Sequence, residues 1–153
     1  METFKQISIG GLKKETLINK LIGQGIQFNE YAKVLFEHSS FLAGDKPEIA
    51  NLVKVRMEDF QFSQPVYFAE IVKKATALGL KLCPLYLGAF LRLEYLDQTQ
   101  GPYLTVASAK PENDENYPNG FYLRNFENSL WLRGYRASDD YEWPMDSEFI
   151  FLK

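Results

Sequence analysis

The sequence predicts an α+β protein, in which about three helices from the N-terminal half pack on one face of an antiparallel meander sheet. Apolar residues recur at helical spacing in the part between about residues 12 and 80. Short alternating runs separated by turn residues follow from about residue 89 onward, and they are typical of about five or six antiparallel strands, mainly in the C-terminal half. We expect a single domain, residues 1–153, because a chain of this length can bury a sufficient core without a metal or disulfide.

The first forty residues predict a short strand and two helices. Phe4–Ile9 is the candidate strand, and helical spacing of apolar residues follows from Leu12 to Ile22. Gly23 ends this helix, and Asn29 is a suitable N-cap for a second helix from Glu30 to about His38. Two short helices around a glycine-containing turn are compatible with a DNA-binding helix-turn-helix or with a helical hairpin that covers a sheet. The second helix offers one Lys and two Glu, which favours the hairpin.

The middle of the chain predicts a loop, a strand and the most regular helix. The loop covers Phe41–Ala50, and Leu52–Met57 alternates as a half-buried strand does. Ser63, followed by Pro65, is expected to begin a helix that ends at Gly79. The apolar segment after this helix is interrupted by a proline and predicts a connector.

The C-terminal part predicts the strands of the meander. Phe90–Leu96 alternates, with Arg92 and Glu94 on its polar side, and Tyr103–Ser108 is the expected returning strand. The acidic segment Pro111–Asn119 contains two prolines and predicts an exposed loop. A hairpin follows, and Glu148–Leu152 is the predicted last strand.

The hairpin consists of Phe121–Phe126 and Leu130–Arg136, and its register can be predicted. A two-residue turn at Glu127-Asn128 places leucines opposite each other on one side and arginines opposite aromatic residues on the other. A turn one residue later would pair Arg124 with Arg133, and like charges directly opposite destabilise a sheet. A three-residue loop would mix the polar and apolar faces. We therefore expect a core face of Phe121, Leu123 and Leu132, and a polar face of Tyr122, Arg124, Trp131 and Arg133.

The polar face of the hairpin is the candidate functional site. Stacking of arginine on aromatic rings is also common on solvent-exposed sheets, where it contributes roughly 0.5–1 kcal/mol. As a binding face it would suit an anionic or planar partner, since Trp, Tyr and Arg dominate binding hot spots. The candidate binding residues are Arg92, Glu94, Tyr122, Arg124, Trp131, Arg133, Tyr135, Arg136, Asp139 and Asp140.

These residues favour a non-enzymatic protein that binds another protein or a small anionic ligand. One alternative is single-stranded nucleic acid, with Lys13, Lys14 and Lys20 assisting the arginines. The net charge of −3, without a strongly basic half, disfavours it. Another alternative is a hydrolase that uses clustered carboxylates, for example Glu94 and Asp139. A homodimer through the same face is left open.

Several chemistries and locations are disfavoured. His38 is the only histidine, so two-histidine metal motifs are absent, and we expect no metal or cofactor. Cys83 lies in an apolar stretch that suits a buried structural thiol better than a nucleophile activated by His38. The sequence has no phosphate-binding glycine loop, no apolar run of about 18 residues and no secretory signal. A reducing cytoplasm is the expected location.

The chain resembles a family of short, uncharacterised bacterial proteins along most of its length. The matching stretches are 9–12 (IGGL), 25–32 (GIQFNEYA), 79–84 (GLKLCP), 92–97 (RLEYLD) and 131–140 (WLRGYRASDD). Some members are labelled helicases. This sequence departs from that label, since it is too short for motor domains and lacks their phosphate-binding loop. The resemblance implies no catalytic residues.

Overall fold

The computed structural model describes residues 1–42 and 44–153 and confirms an α+β fold with a mainly antiparallel sheet. Ala43, in the predicted loop 41–50, lies outside the described residues. The helices are α1 (Lys14–Gly23), α2 (Glu30–Phe36), α3 (Phe68–Ala77) and α4 (Leu87–Glu94), with 3-10 turns at Ser39–Phe41 and Met57–Phe60. The strands are β1 (Lys5–Ile9), β2 (Gln27–Phe28), β3 (Glu48–Arg56), β4 (Val66–Tyr67), β5 (Leu104–Val106), β6 (Gly120–Phe126), β7 (Ser129–Tyr135), β8 (Glu142–Trp143) and β9 (Glu148–Leu152).

The main sheet of the described residues has seven strands in the order β1-β3-β9-β5-β6-β7-β2, and β4 pairs with β8 in a separate ribbon. The β5–β9 and β2–β7 pairs are parallel, whereas the other neighbours are antiparallel. The strand count exceeds the prediction, and the mainly C-terminal placement is only partly correct, because β1, β2 and β3 precede residue 57. β2 has two residues, too few to show an alternating pattern.

Helices cover both faces of the sheet rather than one. The buried residues of α1, α2 and α4 belong to one core cluster with β1, β6 and β7, whereas Ile71 and Ala75 of α3 belong to a second cluster. The second cluster also contains Val53, Val55 and Met57, the three residues predicted to share one side of a strand. β3 therefore contributes to both cores, through Leu52 on one side and through Val53 and Val55 on the other, while Met57 follows in the 3-10 turn.

The predicted strand Phe90–Leu96 is wrong, because Leu87–Glu94 forms helix α4. The segment from Leu87 to Arg92 is buried on all sides, so it lacks the exposed polar stripe of an amphipathic helix. Gly88 allows the close approach of α4 to β6, since a Cβ there would lie 3.0 Å from Phe121 Cβ. In this buried segment, apolar and polar residues alternate after Phe90 by chance, and this alternation led to the prediction of a strand.

The third predicted helix exists but begins later than Ser63. Val66 and Tyr67 form β4 and pair with Trp143 and Glu142 of β8, so α3 begins at Phe68. The pairing partner lies far along the chain, which local capping signals cannot reveal. The predicted cap of α2 is confirmed, because Asn29 Oδ1 accepts a hydrogen bond from Ala32 N at 2.9 Å.

Candidate functional site

The β6–β7 hairpin turns at Glu127 and Asn128, as the sequence predicts. Both residues have left-handed φ angles, 51° and 66°, which a two-residue turn between twisted antiparallel strands requires. The predicted register is confirmed as well. The pairs are Phe121 with Gly134, Tyr122 with Arg133, Leu123 with Leu132, and Arg124 with Trp131.

The two sides of the hairpin belong to different faces of the sheet. Lateral neighbours in a sheet share a face, and one row of them runs through Val55, Phe149, Thr105, Tyr122 and Arg133. The β3–β9 end of this row is buried in the second core cluster, whereas Tyr122 and Arg133 are only half-buried. The predicted core face of Phe121, Leu123 and Leu132 is buried in the first cluster.

Arg133 is held against two aromatic rings. Its Cζ lies 5.0 Å from the centroid of the Trp131 ring and 5.9 Å from that of Tyr122. Its Nε donates a hydrogen bond of 2.7 Å to the Tyr122 hydroxyl. This bond and the stacking fix the guanidinium while leaving its terminal NH₂ groups unengaged by hydrogen bonds to the described residues.

Arg124 is stacked on two rings, one from the residue before the neighbouring strand β5 and one from the end of its own strand β6. Its Cζ lies 4.7 Å from the Tyr103 centroid and 4.3 Å from the Phe126 centroid. Tyr103 also stacks on Tyr122, with centroids 4.8 Å apart and an angle of 21° between the rings. Tyr103 was not among the predicted site residues, because it joins them only through the pairing of β5 with β6. We call Tyr103, Tyr122, Arg124, Trp131 and Arg133 the arginine–aromatic face.

The charge of this face is not neutralised by the described residues. The ion pairs among the described residues involve Lys33, His38, Arg56 and Lys110. Neither Arg124 nor Arg133 has a described carboxylate within 4.0 Å. Arg136, after the end of β7, donates to Asn116 Oδ1 at 3.1 Å instead. Two fixed guanidinium groups are therefore positioned to meet an external anion, although the chain as a whole carries −3.

Two predicted site residues do not belong to this face. Arg92 and Glu94 lie on α4, whose core cluster is on the opposite side of the sheet. Glu94 is exposed there, and Arg92 is fully buried. Their assignment to the site followed from the predicted strand Phe90–Leu96 and fails with it.

Arg92 instead joins α4 to the loop after it and to β7. Its guanidinium donates to Gln98 Oε1 at 2.7 Å, to the Trp131 carbonyl at 3.3 Å and to the Tyr95 carbonyl. Gln98 Nε2 in turn donates to the Leu123 carbonyl at 3.2 Å. Burial lowers the pKa of Arg92 to about 10, because no carboxylate among the described residues compensates its charge.

The predicted acidic residues are close to the end of β7 but do not converge. Asp139 Oδ1 accepts a hydrogen bond of 2.6 Å from Lys110 Nζ, and Asp140 Oδ1 accepts one of 2.7 Å from the Ser138 hydroxyl. The described residues contain no group of three or more His, Cys, Asp or Glu side chains that could hold a metal ion. Glu94 lies on the other side of the sheet from Asp139, so the two do not form a carboxylate pair.

His38 forms a contact that the sequence analysis missed. Its Nε2 lies 2.7 Å from Glu112 Oε1, and its Nδ1 lies 2.7 Å from Ser40 Oγ. Ser40 N also donates to Nδ1 at 3.0 Å, so Nδ1 is the acceptor and Nε2 carries the proton. The imidazole thus caps the 3-10 turn Ser39–Phe41 and attaches the acidic loop to it. The Cys83 thiol takes no part in this arrangement. It is buried and contacts the Ile150 carbonyl.

No helix among the described residues combines the length and apolar character needed to cross a bilayer. Comparison of the chain with protein-family models, with curated proteins and with solved structures found no match.

Proposed function

We propose that this protein is a cytoplasmic binding protein that recognises an anionic group, on a partner protein or a small ligand, through the arginine–aromatic face. One observation supports this above the others. Arg124 and Arg133 are stacked on aromatic rings, half-buried and without a carboxylate partner among the described residues.

The stacked positions of the two arginine side chains favour binding in two ways. A guanidinium fixed by stacking and by the Tyr122 hydroxyl loses little rotamer freedom when it engages a carboxylate or phosphate. The aromatic rings add apolar area around the charged groups, which partly removes water from the contact. Together they give a short stripe of alternating charge and ring along the hairpin.

The proposal is tested with variants that remove charge but keep most of the side-chain volume. Arg124→Gln and Arg133→Gln, alone and together, are compared with Lys20→Gln, which removes one charge from the exposed side of α1. The probes are a fluorescein-labelled hexaglutamate peptide and the partners captured from a bacterial lysate. We expect each arginine substitution to weaken peptide binding about tenfold, because a charge-assisted hydrogen bond is lost, and the lysine substitution to change it little. Equal affinities, with an unchanged set of captured partners, would overturn the proposal.

Single-stranded nucleic acid remains an alternative, since the stacked Tyr103 and Tyr122 rings resemble a base-stacking platform. The lysines that would assist do not adjoin this platform, because α1 packs in the core cluster on the other side of the sheet. A fluorescein-labelled oligo-dT of about 15 nucleotides distinguishes the two ideas. Tighter binding of the oligonucleotide than of the peptide, with an affinity that falls steeply with salt, would favour nucleic acid.

A further inference from the structure

A cavity of about 540 Å³ lies between α3 and the sheet, beside the arginine–aromatic face. It is open on one side and is lined by α3, by Leu82, by the segment after β5, by Asn119, by the end of β7 with the residues after it, and by β8. Its volume falls within the range of about 300–1,000 Å³ that is usual for small-molecule sites. The cavity includes neither Arg124 nor Arg133, so it is distinct from the proposed function above.

Three aromatic rings form part of the cavity walls. Trp143 is the central ring, meeting Tyr135 at 5.6 Å and 85° and Phe68 at 6.2 Å and 83°. All three residues line the cavity, together with the apolar side chains of Val72 and Leu82. Rings at right angles present both faces and edges, and this arrangement suits a planar ring that stacks on one wall and meets the edge of another.

The cavity is also lined by an ion pair. Lys110 Nζ and Asp139 Oδ1 are 2.6 Å apart, and their side chains are 31% and 87% exposed. The Lys110 side chain is thus the more enclosed of the two, and the Asp139 side chain lies mostly in water. An exposed ion pair contributes little to stability, so a ligand carboxylate can share the ammonium at small cost.

Two further groups on the walls have no hydrogen-bond partner among the described residues. Ser108 is 7% exposed and its hydroxyl is buried without a partner. The Tyr135 hydroxyl makes no hydrogen bond with the described residues, and burial raises the pKa of this phenol, so it stays a neutral donor. By contrast, Asn119 is fully engaged, because its amide donates to the Ala137 carbonyl and accepts from Ala137 N.

We propose that this cavity binds a small aromatic carboxylate, with its ring between Phe68, Tyr135 and Trp143 and its carboxylate at Lys110. The rings favour a planar ligand, and the Lys110 ammonium favours an acid over a neutral or cationic analogue. The Tyr135 hydroxyl is a donor that suits an oxygen of such a ligand, whereas the buried Ser108 hydroxyl does not reach the cavity.

The test uses 3-phenylpropionate, its neutral amide 3-phenylpropanamide and the amine 3-phenylpropylamine, measured by calorimetry and by ¹H–¹⁵N spectra. We expect the acid to bind about tenfold more tightly than the amide, the amine to bind most weakly, and Lys110→Gln to abolish the preference for the acid. Lys81→Gln, which removes an exposed charge outside the cavity, is the matched control.

The two tryptophans locate the bound ligand. The indole N–H signals of Trp131 and Trp143 are assigned with Trp131→Phe, which leaves the cavity intact. The acid should shift the Trp143 signal and leave the Trp131 signal in place. Equal affinities for acid and amide, an unchanged preference in Lys110→Gln, a shift confined to Trp131, or no binding by any of the three probes would each overturn the proposal.

Discussion

Asn29 and Gly134, which are 105 positions apart, are joined by two hydrogen bonds that connect the start of α2 to β7. Asn29 Nδ2 donates to the Gly134 carbonyl at 2.9 Å, and Gly134 N donates to Asn29 Oδ1 at 2.8 Å. The same Oδ1 accepts from Ala32 N and caps α2. One side-chain amide therefore caps the start of α2 and also continues the pairing of β7 beyond Leu132, where the contact of β7 with the short strand β2 stops.

This contact predicts that Gly134→Ala destabilises the protein strongly. An added Cβ would lie 2.7 Å from Tyr31 C and 2.8 Å from Ala32 N, and these backbone atoms cannot move unless α2 shifts. We expect the free energy of unfolding, measured by urea denaturation, to fall by about 2–3 kcal/mol. The shift would also stretch both hydrogen bonds to Asn29.

Gly23→Ala is the matched control. Gly23 ends α1, its φ is outside the left-handed region, and a Cβ there would meet no atom within 4 Å. Alanine favours helix over glycine, so the free energy of unfolding should stay unchanged or rise by about 0.5–1 kcal/mol. Similar losses in both variants would contradict the close-contact explanation for Gly134.

Arg92→Ala should lower the free energy of unfolding by about 3–5 kcal/mol, since it opens a cavity and leaves three acceptors without their donor. Glu94→Ala is the control, because Glu94 is exposed on the same helix and its substitution should cost less than about 0.5 kcal/mol. Urea denaturation of both variants measures the difference. An equally mild effect at the two positions would show that Arg92 does not hold α4 to β7.

The hairpin could be predicted from the sequence because everything that determines its register is local. Strict alternation defines its two faces, and only one turn position avoids Arg124 opposite Arg133. The capping residue Asn29 could be predicted for the same reason, whereas its bonds to Gly134 could not. Its second role depends on the packing of α2 against β7.

Long-range packing explains what the sequence did not reveal. The first six residues of α4 are buried on all sides, so helical periodicity is absent and Arg92 resembled a surface residue of a strand. Tyr103 joins the candidate site only through the pairing of β5 with β6. The aromatic cavity likewise combines six separate segments of the described residues, from Phe68 to Trp143.

The hairpin turn predicts a stabilising change. Glu127 and Asn128 both adopt left-handed φ angles, of 51° and 66°, a region that costs side-chain-bearing residues about 1–2 kcal/mol. Asn-Gly is the preferred pair in such turns. The double substitution Glu127→Asn with Asn128→Gly should raise the free energy of unfolding by about 1 kcal/mol, and thermal denaturation should show a midpoint about 2–4 °C higher.

Asn113→Gly serves as the control for the turn, since Asn113 is exposed in a loop and does not have a positive φ. Glycine there only increases the freedom of the unfolded chain, so the midpoint should stay the same or fall slightly. A turn variant that is no more stable than the wild type would mean that the left-handed turn carries little strain.

Cys83 predicts a loss of stability in mildly alkaline solution. Burial raises the pKa of its thiol far above the ordinary value, whereas the unfolded chain ionises this thiol near about pH 8.5. Because the folded-state pKa is the raised one, this contribution to stability is complete below about pH 8.5 and is lost as the pH rises further. The slope expected from one proton is at most about 1.4 kcal/mol per pH unit.

Urea denaturation of the wild type and of Cys83→Ala between pH 7.5 and 9.5 measures the contribution of this thiol to the pH dependence of the free energy of unfolding. The variant should be less stable at pH 7.5, because it lacks a buried sulfur that contacts the Ile150 carbonyl at 3.6 Å. Its stability should fall less steeply with pH, so that the gap to the wild type narrows toward pH 9.5. Arg92 and Tyr135 titrate near or above about pH 10 in both the folded and the unfolded state. Their contribution to the pH dependence of stability is therefore small in this window. Parallel pH curves for the two proteins would contradict the prediction, because they would mean that the thiol ionises with equal ease in the folded and unfolded states despite its enclosure between β9 and the segment before α4.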